Sequence, residues 1–400
     1  MKIAFLNYFD LQNPDSWPRS EFGFISTNYH KAKSLESFAE VEYVCALEYP
    51  LSARRSRLVE FKRRIYRKLD RRYIHWATPH LSRTLARQIA PRLKGVDLVV
   101  GSDTTLIAQL DIPQPIVLWA TNLFDPLIGR YGDYSGLCFE SRYGLRWFDR
   151  QSVRRCRQLV FPSQWAADNA IQKFNFSRDR VSVVPYGANN AADRTEEEIE
   201  RDILNRPTDP LKLLFIGVDW ARKGGEIVLE VVRRLQDRGV KTELTIVGVQ
   251  LPQNKTLPPN TRSLGFLDRF TPDGKARLQQ CLRESHALLL PSEAETYGNV
   301  LCEANSFGLP VFASRVGGMP TIVRDGENGY SFSRADFAAE CSRILEPLAT
   351  DSDTYRQLAR GALRTYRSRL SWDAASQQMQ RLCRSALGAG SAPDDRRLRQ

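Results

Sequence analysis

Short apolar runs alternate with amphipathic segments along most of this chain. The runs are rich in Val, Ile, Leu and Phe, which is typical of strands buried on both faces of a parallel sheet. The segments between them carry apolar residues at three- and four-residue steps, which predicts helices. The predicted strands cover residues 2–7, 41–47, 97–101, 115–120, 158–162, 181–184, 211–217, 242–247, 286–290 and 309–313. The predicted helices cover residues 28–36, 54–73, 79–92, 138–156, 223–238, 272–284 and 371–386. This alternation predicts an α/β protein with helices on both faces of mostly parallel sheets.

The length of 400 residues suits two domains better than one. Residues 187–210 are polar and lack a strand pattern, so we predict the linker there. An N-terminal domain would then cover residues 1–186 and a C-terminal domain residues 211–371. The composition of residues 388–400 is typical of a disordered tail.

The overall composition excludes several classes of protein. The apolar fraction of 42% and the charged fraction of 26% are ordinary for a globular protein. No apolar run is long enough to span a bilayer, and the N-terminus lacks the long apolar core of a signal peptide. Seven scattered cysteines without a C-x-x-C pair favour a reducing compartment over a disulfide framework or a zinc site. We therefore expect a cytoplasmic protein.

The net charge of +12 is concentrated in one predicted helix, residues 54–73. That helix contains ten Lys or Arg residues and only two acidic residues. Its apolar residues recur at three- and four-residue steps; they are Leu58, Phe61, Ile65, Leu69 and Tyr73. A basic amphipathic helix is typical of contact with an anionic membrane surface, here the inner face of the membrane. A helix packed on its own domain with a solvated basic face explains the pattern equally well. Nucleic acid is disfavoured because no nucleic-acid-binding motif accompanies the charge.

The most informative segment is residues 288–330. An apolar strand ends at Pro291 and is followed by two glutamates, Glu295 and Glu303, with Gly298 between them. A second strand then ends before the pair Gly317-Gly318. This order predicts a βαβ unit whose polar groups lie at the carboxyl ends of the strands, where open α/β sheets bind ligands.

The chemistry of this segment suits a nucleoside diphosphate. A helix beginning at residues 296–298 would direct backbone N–H groups and its positive dipole end at a phosphate, which Gly298 lets approach. Glu303 lies one to two turns into that helix, where its two carboxylate oxygens can hold a ribose diol. Glu295 would point at the group attached to the phosphate. The alternative is a surface helix with two solvated glutamates.

This segment resembles the signature of the family 4 (group 1) glycosyltransferases, retaining enzymes with the GT-B fold. The matching residues are Pro291-Ser292, Glu295, Glu303-Ala304, Gly308-Leu309-Pro310-Val311 and Gly317-Gly318. Residues 213–224 resemble the family's strand and turn with a phosphate-binding Lys, which falls on Lys223. Residues 264–266 resemble the turn that receives the base. The resemblance is good over residues 160–375 and loose over the first 150.

The resemblance implies two Rossmann-like domains facing a central cleft, with a last helix over residues 372–387 that packs back on the first domain. It also implies retention of anomeric configuration, and no metal or other cofactor. The donor would be held by Glu303, Gly298, Asn299, Gly265 and Phe266, with Glu295 at the sugar and Lys223 and Arg222 at the phosphates. A loop with Gly23, near Trp17, Arg19 and Ser20, would face the cleft, and Gly23 would be a further donor-binding residue.

Two positions depart from the family pattern. The family commonly has an Arg where this chain has Val218, and we hypothesise that Arg222 replaces that charge. Family members often carry a His after the strand corresponding to residues 115–120, and none stands there in this chain. Asn122 and Asp125 are the polar candidates for the acceptor side, although Asp125 precedes Pro126 and suits a turn equally well. The four histidines lie outside the motifs, and His286 is interpreted as structural.

Metal and dinucleotide sites are not expected. Asp351-Ser352-Asp353 resembles a metal-binding Asp-x-Asp pair, but it precedes a helical pattern and is interpreted as an N-cap. No G-x-G-x-x-G follows the first strand of either domain, which disfavours a dehydrogenase.

These observations predict a glycosyltransferase that moves a sugar from a nucleotide-sugar donor to a glycan or lipid-linked acceptor, in bacterial polysaccharide or glycoconjugate assembly. One alternative is a non-catalytic GT-B subunit that binds nucleotide and supports a partner enzyme. Another is a GT-B epimerase or phosphorylase, whose sequence signatures differ.

Overall fold

The computed structural model describes residues 1–49, 52–207, 209–251, 255–269 and 271–388. The chain divides into two compact units. The first contains Met1–Val184 and the chain from Ala375 onward, and the second contains Pro185–Ala374. Each unit is built on one six-stranded sheet. The predicted α/β class is confirmed.

The sheet of the first unit is parallel throughout. Its strands are β1 (Lys2–Leu6), β2 (Glu40–Val44), β3 (Leu98–Gly101), β4 (Ile116–Trp119), β5 (Gln158–Phe161) and β6 (Val181–Val183). They are ordered β2-β1-β3-β4-β5-β6. All residues of the central strands β3 and β4 are buried, as their uninterrupted apolar runs predict. Polar residues follow at the carboxyl ends, among them Asn7 after β1 and Ser102 after β3.

Helices cover this sheet. They are α1 (Phe22–Glu36), α2 (Ala53–Lys68), α3 (Pro79–Ile89), α4 (Thr104–Ile107), α5 (Phe139–Arg155) and α6 (Gln164–Phe174). The helix α1 begins six residues before the predicted start. Gly23, predicted in a loop, lies in its first turn, and its carbonyl accepts a 2.8 Å hydrogen bond from Thr27 Oγ1. The start of the helix was missed because the buried residues that follow its first turn include the polar Ser26 and Thr27, which interrupt the apolar pattern.

The second unit repeats the architecture with a second parallel sheet. Its strands are β7 (Leu211–Ile216), β8 (Thr242–Val247), β9 (Thr261–Ser263), β10 (Ala287–Leu290), β11 (Val311–Ser314) and β12 (Gly329–Phe332). They are ordered β12-β11-β10-β7-β8-β9. The sequence did not predict β9 and β12. Both are edge strands, and β9 has no buried residue, so neither carries the long apolar run of a central strand.

The helices of the second unit include one inside the segment predicted as a linker. The helices are α7 (Glu196–Asn205), α8 (Trp220–Lys223), α9 (Gly225–Asp237), α10 (Pro272–Glu284), α11 (Asn299–Ser306), α12 (Met319–Ile322), α13 (Phe337–Leu348) and α14 (Ser352–Arg369). A capping box between Thr195 and Glu198 starts α7. Ile199 and Ile203, four residues apart, pack in the core of the unit. Residues 187–210 are therefore not linker alone.

The last helix, α15 (Trp372–Gly388), contributes to both units. Trp372 Nε1 donates a 3.1 Å hydrogen bond to the Ala188 carbonyl within the second unit. Ser376 Oγ donates a 2.8 Å hydrogen bond to the Ser34 carbonyl within the first. The predicted disordered tail lies, from residue 389 on, outside the described residues. Within the described part of the chain, the helices are all too short or too polar to cross a membrane.

Candidate donor-binding site

The turn after β7 is shaped by glycines that let two strand ends approach. Asp219 caps α8 by accepting a 3.0 Å hydrogen bond from the Arg222 backbone N–H. The stem of Lys223 lies against Gly217, where a Cβ atom would come 2.8 Å from Lys223 Cγ. Gly224 has a φ of +80°, and a Cβ there would come 2.3 Å from the Pro291 carbonyl oxygen. The Arg222-Lys223 pair is thus held against the end of β10.

A charged cluster forms where β7 and β10 end. Lys223 Nζ forms an ion pair with Glu295 Oε1. Arg222 Nη1 lies 3.6 Å from the same oxygen, and Ser292 Oγ donates to it at 3.2 Å. The side chains of Lys223 and Glu295 are only 13% and 12% exposed. Arg222 Nε also lies 3.5 Å from Asp219 Oδ2. Two cations are thus held beside two carboxylates at one strand edge, where an anionic ligand can compete for them.

The glycine pair after β11 fixes the turn that carries Glu295. The Gly318 N–H donates a 3.2 Å hydrogen bond to the Glu295 carbonyl oxygen. Gly317 has a φ of +52°, and a Cβ there would come 1.7 Å from that oxygen. No side chain fits between these two backbones, so the glycine at 317 sets the position of Glu295.

Glu303 is a buried carboxylate with one oxygen unused. It lies on α11 and is 2% exposed. Its Oε1 accepts a 3.1 Å hydrogen bond from Arg269 Nη1, whereas its buried Oε2 has no hydrogen-bond partner among the described residues. Burial raises the pKa of Glu303, and Arg269 and the Asn190 backbone oppose that shift. Buried polar atoms are almost always hydrogen-bonded, so an unpaired buried oxygen is unusual. We therefore interpret Oε2 as an acceptor that is available for a ligand hydroxyl. Both glutamates are buried, which excludes the alternative of two solvated surface glutamates.

The start of α11 lies between the two glutamates. Gly298 is its N-cap residue, with a φ of +104°, and the helix runs from Asn299. A Cβ at Gly298 would come 3.2 Å from Met319 Cγ, so the glycine keeps the helix start close to α12. The backbone N–H groups of a first helical turn have no intrahelical acceptor and suit an anion.

An aromatic ring is exposed beyond β8. Phe266 is 64% exposed, although it follows a turn tied to the sheet. That tie is a 2.7 Å hydrogen bond from the Gly248 N–H to the carbonyl of Gly265, whose φ is +63°. An exposed ring on a fixed turn offers a stacking surface for a planar base.

Val218, where the family commonly has an Arg, is 69% exposed. An Arg side chain would have room at this position, so the departure from the family pattern removes a positive charge without being required by packing.

The two residues predicted on the acceptor side, Asn122 and Asp125, make local contacts within the first unit. Asn122 Nδ2 donates a 2.8 Å hydrogen bond to the Leu123 carbonyl. Asp125 begins a short 3-10 turn, and its carboxylate lies 2.5 Å from Arg146 Nε and 3.6 Å from Lys173 Nζ. These contacts favour the interpretation of Asp125 as a turn residue.

Sequence reasoning missed a buried aspartate that supports this loop. Asp149 on α5 accepts hydrogen bonds from the backbone N–H groups of Phe124 at 3.1 Å and Asp125 at 2.9 Å. Burial raises its pKa to about 8. The available signal was its position four residues after the buried Leu145, which places an acidic residue on the core side of the helix.

A buried lysine at the same edge of the sheet was also missed. Lys31 on α1 donates to the Trp119 carbonyl at 3.0 Å and to Asn28 Oδ1 at 3.1 Å. Burial lowers its pKa to about 7, and the nearby Asp103 opposes that shift. Its spacing from Leu35 was the only signal, and lysines at such positions are usually solvated.

The groups considered as metal ligands have structural partners. Asp351 caps α14 by accepting from the backbone N–H groups of Asp353 at 3.1 Å and Thr354 at 3.0 Å, which confirms the capping interpretation. All seven cysteines are free and buried. Across the described ranges, no three His, Cys, Asp or Glu side chains are grouped to hold a metal ion. His286 is buried, and its Nδ1 accepts a 2.8 Å hydrogen bond from the Lys212 N–H.

A segment of the second unit matches a known protein family. Residues 196–364 match the family described as "Glycosyl transferases group 1". This segment, which is less than half of the chain, is similar to the group 1 glycosyltransferases. The matched range contains the charged cluster, both glutamates and Phe266.

Curated relatives match part of the chain. An enzyme of Streptomyces avermitilis named D-inositol 3-phosphate glycosyltransferase is 30% identical over 241 residues, which cover 57% of this chain and 52% of that protein. The protein of the same name from Acidothermus cellulolyticus is 29% identical over 264 residues, or 62% of this chain and 57% of that one. The chain spans about half the length of the curated relatives it matches.

Solved structures resemble the chain over nearly its whole length. HepE of Anabaena in complex with UDP has a TM-score of 0.62 at 17% identity and covers 96% of this chain and 100% of its own. Sucrose-phosphate synthase from Thermosynechococcus elongatus also has a TM-score of 0.62 at 17% identity, covering 97% and 100%. At this identity the likeness shows the fold, which is that of the GT-B glycosyltransferases, as predicted.

Proposed function

We propose that this chain is a group 1 glycosyltransferase that transfers a sugar from a nucleotide-sugar donor to a glycan or lipid-linked acceptor, with retention of anomeric configuration. One observation carries the proposal. The Lys223, Arg222 and Glu295 cluster lies in the same unit as Glu303, whose buried Oε2 has no partner among the described residues. Cations for phosphates and a free acceptor for a diol are the groups that a sugar nucleotide requires.

The cations serve the leaving group. Breaking the sugar–phosphate bond releases a nucleoside diphosphate, whose developing charge must be stabilised by fixed cations or dipoles. Lys223 and Arg222 supply cations, and the first turn of α11 supplies backbone dipoles. Binding of the diphosphate would draw Lys223 partly away from Glu295 and leave that carboxylate to contact the donor sugar.

The remaining donor contacts follow the same geometry. Glu303 Oε2 accepts from a ribose hydroxyl, while Arg269 keeps the carboxylate charged and oriented. The exposed ring of Phe266, on the Gly265 turn, stacks on the base. UDP is the first nucleotide to test because HepE, a structure with the same fold, is described in complex with UDP.

Retention is proposed to proceed by attack on the same face of the sugar, with the leaving phosphate accepting the acceptor's proton. Such a mechanism needs no His in the first unit, where none follows β4. The acceptor is assigned to the first unit, with Asn122 and Gly23 as contacts. Asp125 holds its loop through Arg146, and we assign it that positioning role.

Calorimetry tests the donor site directly. UDP, GDP, ADP and dTDP would be titrated without metal into the wild type and into Glu303→Ala. We expect one nucleotide to bind the wild type and to bind the variant at least tenfold more weakly. Glu293→Ala is the control because it removes an exposed glutamate of the same unit whose side chain is not part of the charged cluster. Equal binding by the wild type and Glu303→Ala would contradict the assignment.

A non-catalytic subunit is the second candidate, favoured by Val218 in place of the family's Arg. Turnover separates the two functions. The purified chain is incubated with the sugar nucleotide whose base binds, together with candidate acceptors, and nucleoside diphosphate release is measured. Release that Lys223→Ala abolishes supports an enzyme, whereas tight binding without release supports the subunit.

We also propose that α2 contacts an anionic membrane surface, which suits a lipid-linked acceptor at the inner face of the membrane. None of the residues of α2 is buried. Its apolar side chains are exposed, with Phe61 at 61% and Ile65 at 41%. Exposed apolar side chains on a basic helix favour surface contact over packing on the protein's own domain.

Flotation with vesicles tests the surface contact. At low salt, we expect the wild type to float with vesicles rich in phosphatidylglycerol and not with phosphatidylcholine alone. Phe61→Ser combined with Ile65→Ser should abolish flotation. Leu204→Ser is the control, since Leu204 is 42% exposed on α7 in the other unit. Failure of the wild type to float would exclude the contact.

A further inference from the structure

The first unit contains a second basic site, separate from the exposed apolar face of α2. A cavity of about 810 Å³ lies between the C-terminal half of α2, the segment that follows it and the turn at Gly136. Four arginines line it, Arg63, Arg67, Arg71 and Arg72, together with His75 and two aromatic residues, Tyr73 and Trp76. We propose that this arginine cavity binds a phosphate group, as the headgroup of a lipid or as a soluble phosphate ester.

The backbone around the arginine cavity is fixed by hydrogen bonds. The chain reverses after α2 at Asp70, whose φ is +52°, and the Arg71 N–H donates to the Tyr66 carbonyl at 2.8 Å. The next residue pairs with the Gly136 turn, where the Arg72 N–H donates to the Gly136 carbonyl at 2.9 Å. The four arginines are therefore brought together by a defined turn and not by chance proximity on one helix.

The helix itself is anchored on a different side. Tyr66 Oη donates a 2.8 Å hydrogen bond to Glu140 on α5, and Lys62 forms an ion pair with the same carboxylate. At 100° per residue, Arg63 and Arg67 lie about 200° around the helix from Phe61 and Ile65. The arginine cavity is thus distinct from the apolar face that we assign to membrane contact.

The charges of the arginine cavity are only partly compensated, although two carboxylates, Glu60 and Asp70, also line it. Arg72 donates to the Gly132 carbonyl at 2.7 Å and to Asp133 Oδ1 at 3.1 Å. Among the described residues, no carboxylate lies within ion-pair distance of Arg67 or Arg71. Like charges confined to one cavity repel each other, and a phosphate would relieve that repulsion while accepting bidentate hydrogen bonds from guanidinium groups.

His75 adds a neutral donor to the arginine cavity. Arg63 Nη2 lies 3.3 Å from His75 Nδ1, and because a guanidinium only donates, that nitrogen accepts. Its other ring nitrogen then carries the proton and can donate to an anion. Burial and the Arg63 charge lower the pKa of His75, and a bound phosphate would raise it.

The test measures binding of soluble probes to the whole chain. Inorganic phosphate and dihexanoyl phosphatidic acid are titrated by calorimetry into the wild type, into R67A/R71A and into R54A/R57A. The control pair removes the same charge from the first turns of α2 and lies outside the arginine cavity. We expect at least tenfold weaker binding in R67A/R71A and less than twofold in the control. Binding reduced equally in both pairs, or no binding to the wild type, would overturn the proposal.

Two further readouts identify the source of the phosphate and guard against misfolding. Flotation with phosphatidylglycerol vesicles that falls in R67A/R71A beyond the control indicates a lipid headgroup. Flotation that is unchanged, with soluble probe binding lost, indicates a soluble ester. An NMR titration of wild-type His75, assigned with His75→Gln, should show its pKa rise with phosphate, and a pKa unmoved at saturating phosphate would contradict the site. UDP binding by the second unit is independent of all these outcomes.

Discussion

Arg269 donates a 3.1 Å hydrogen bond to one oxygen of Glu303, and the other oxygen is buried without a partner in the described part of the chain. The arginine thereby fixes the carboxylate in place and offsets the cost of its burial. The free oxygen is positioned as an acceptor before any ligand arrives, so little reorganisation accompanies binding.

Removing Glu303 should therefore weaken nucleotide binding more than removing Arg269. A hydrogen bond to a charged group is worth about 1.5–3 kcal/mol, or roughly 10- to 100-fold in affinity. We expect that loss of UDP affinity for Glu303→Ala and a smaller one for Arg269→Lys, which keeps the positive charge. Calorimetry of both variants decides the order. A larger loss in Arg269→Lys would mean that the arginine, and not the glutamate, contacts the nucleotide.

A second prediction concerns the charge that Val218 lacks. Arg222 Nη1 donates to the Ala294 carbonyl at 3.2 Å, which holds its guanidinium beside Glu295. If Arg222 replaces the family's missing Arg, Arg222→Ala should lower turnover by about 100-fold, as removal of one charge-stabilising donor usually does.

Val218→Arg provides the complementary test, because this position is open to solvent. In the Arg222→Ala background we expect it to restore part of the lost turnover. An exposed ion pair is worth about 0.2–1 kcal/mol, so rescue of roughly 1.4- to fivefold is the expected size. Full activity of Arg222→Ala by itself would show that Arg222 carries no such role.

Much of this arrangement could be predicted from the sequence because it is local. Lys223 and Arg222 share one turn, and the 295 and 303 glutamates lie within one βαβ unit. These residues follow the central strands β7 and β10, whose apolar runs show in the sequence where each strand begins and ends. The edge strands β9 and β12 and the helix α7 could not be predicted in the same way, since their apolar faces are short.

Long-range partners were beyond the reach of the pattern. Arg269 is 34 residues from Glu303, and Lys31 is 88 residues from Trp119. The local sequence of Arg269 does not distinguish it from a solvated cation, and the spacing of Lys31 from Leu35 is the one weak local signal for that lysine. Only the sheet, by bringing distant strand ends to one edge, gives these side chains their partners.

A third prediction addresses the glycine at 317. Gly317→Ala would place a Cβ 1.7 Å from the Glu295 carbonyl oxygen, so the turn carrying Glu295 must move. We expect at least tenfold weaker UDP binding and a lower melting temperature. Gly326→Ala is the matched control, because its φ is also positive, at +79°, and its nearest neighbour is 3.9 Å away. Both variants bear the strain of a positive φ, about 1–2 kcal/mol, but only the first displaces Glu295. Equal UDP binding by the two variants would argue against a fixed Glu295.

A fourth prediction uses Lys31, whose pKa is lowered by burial from an ordinary 10.5 to about 7. Between these values the folded protein holds Lys31 neutral, whereas the unfolded chain keeps it protonated. The unfolded state then binds more protons, so the free energy of unfolding rises with pH by up to ~1.4 kcal/mol per unit for this group. Below about pH 7 the lysine is protonated in both states, and its contribution no longer changes.

The comparison with Lys31→Met isolates this effect. We expect the free energy of unfolding of the wild type, relative to Lys31→Met, to increase steadily from pH 7 to pH 9.5 in urea titrations. Lys33→Met is the control because Lys33 is on the same helix and is exposed, paired with Glu36 at 2.9 Å. Its difference from the wild type should change little over this range. A difference for Lys31→Met that stays flat, or falls as the pH rises, would show that Lys31 is charged in the folded protein.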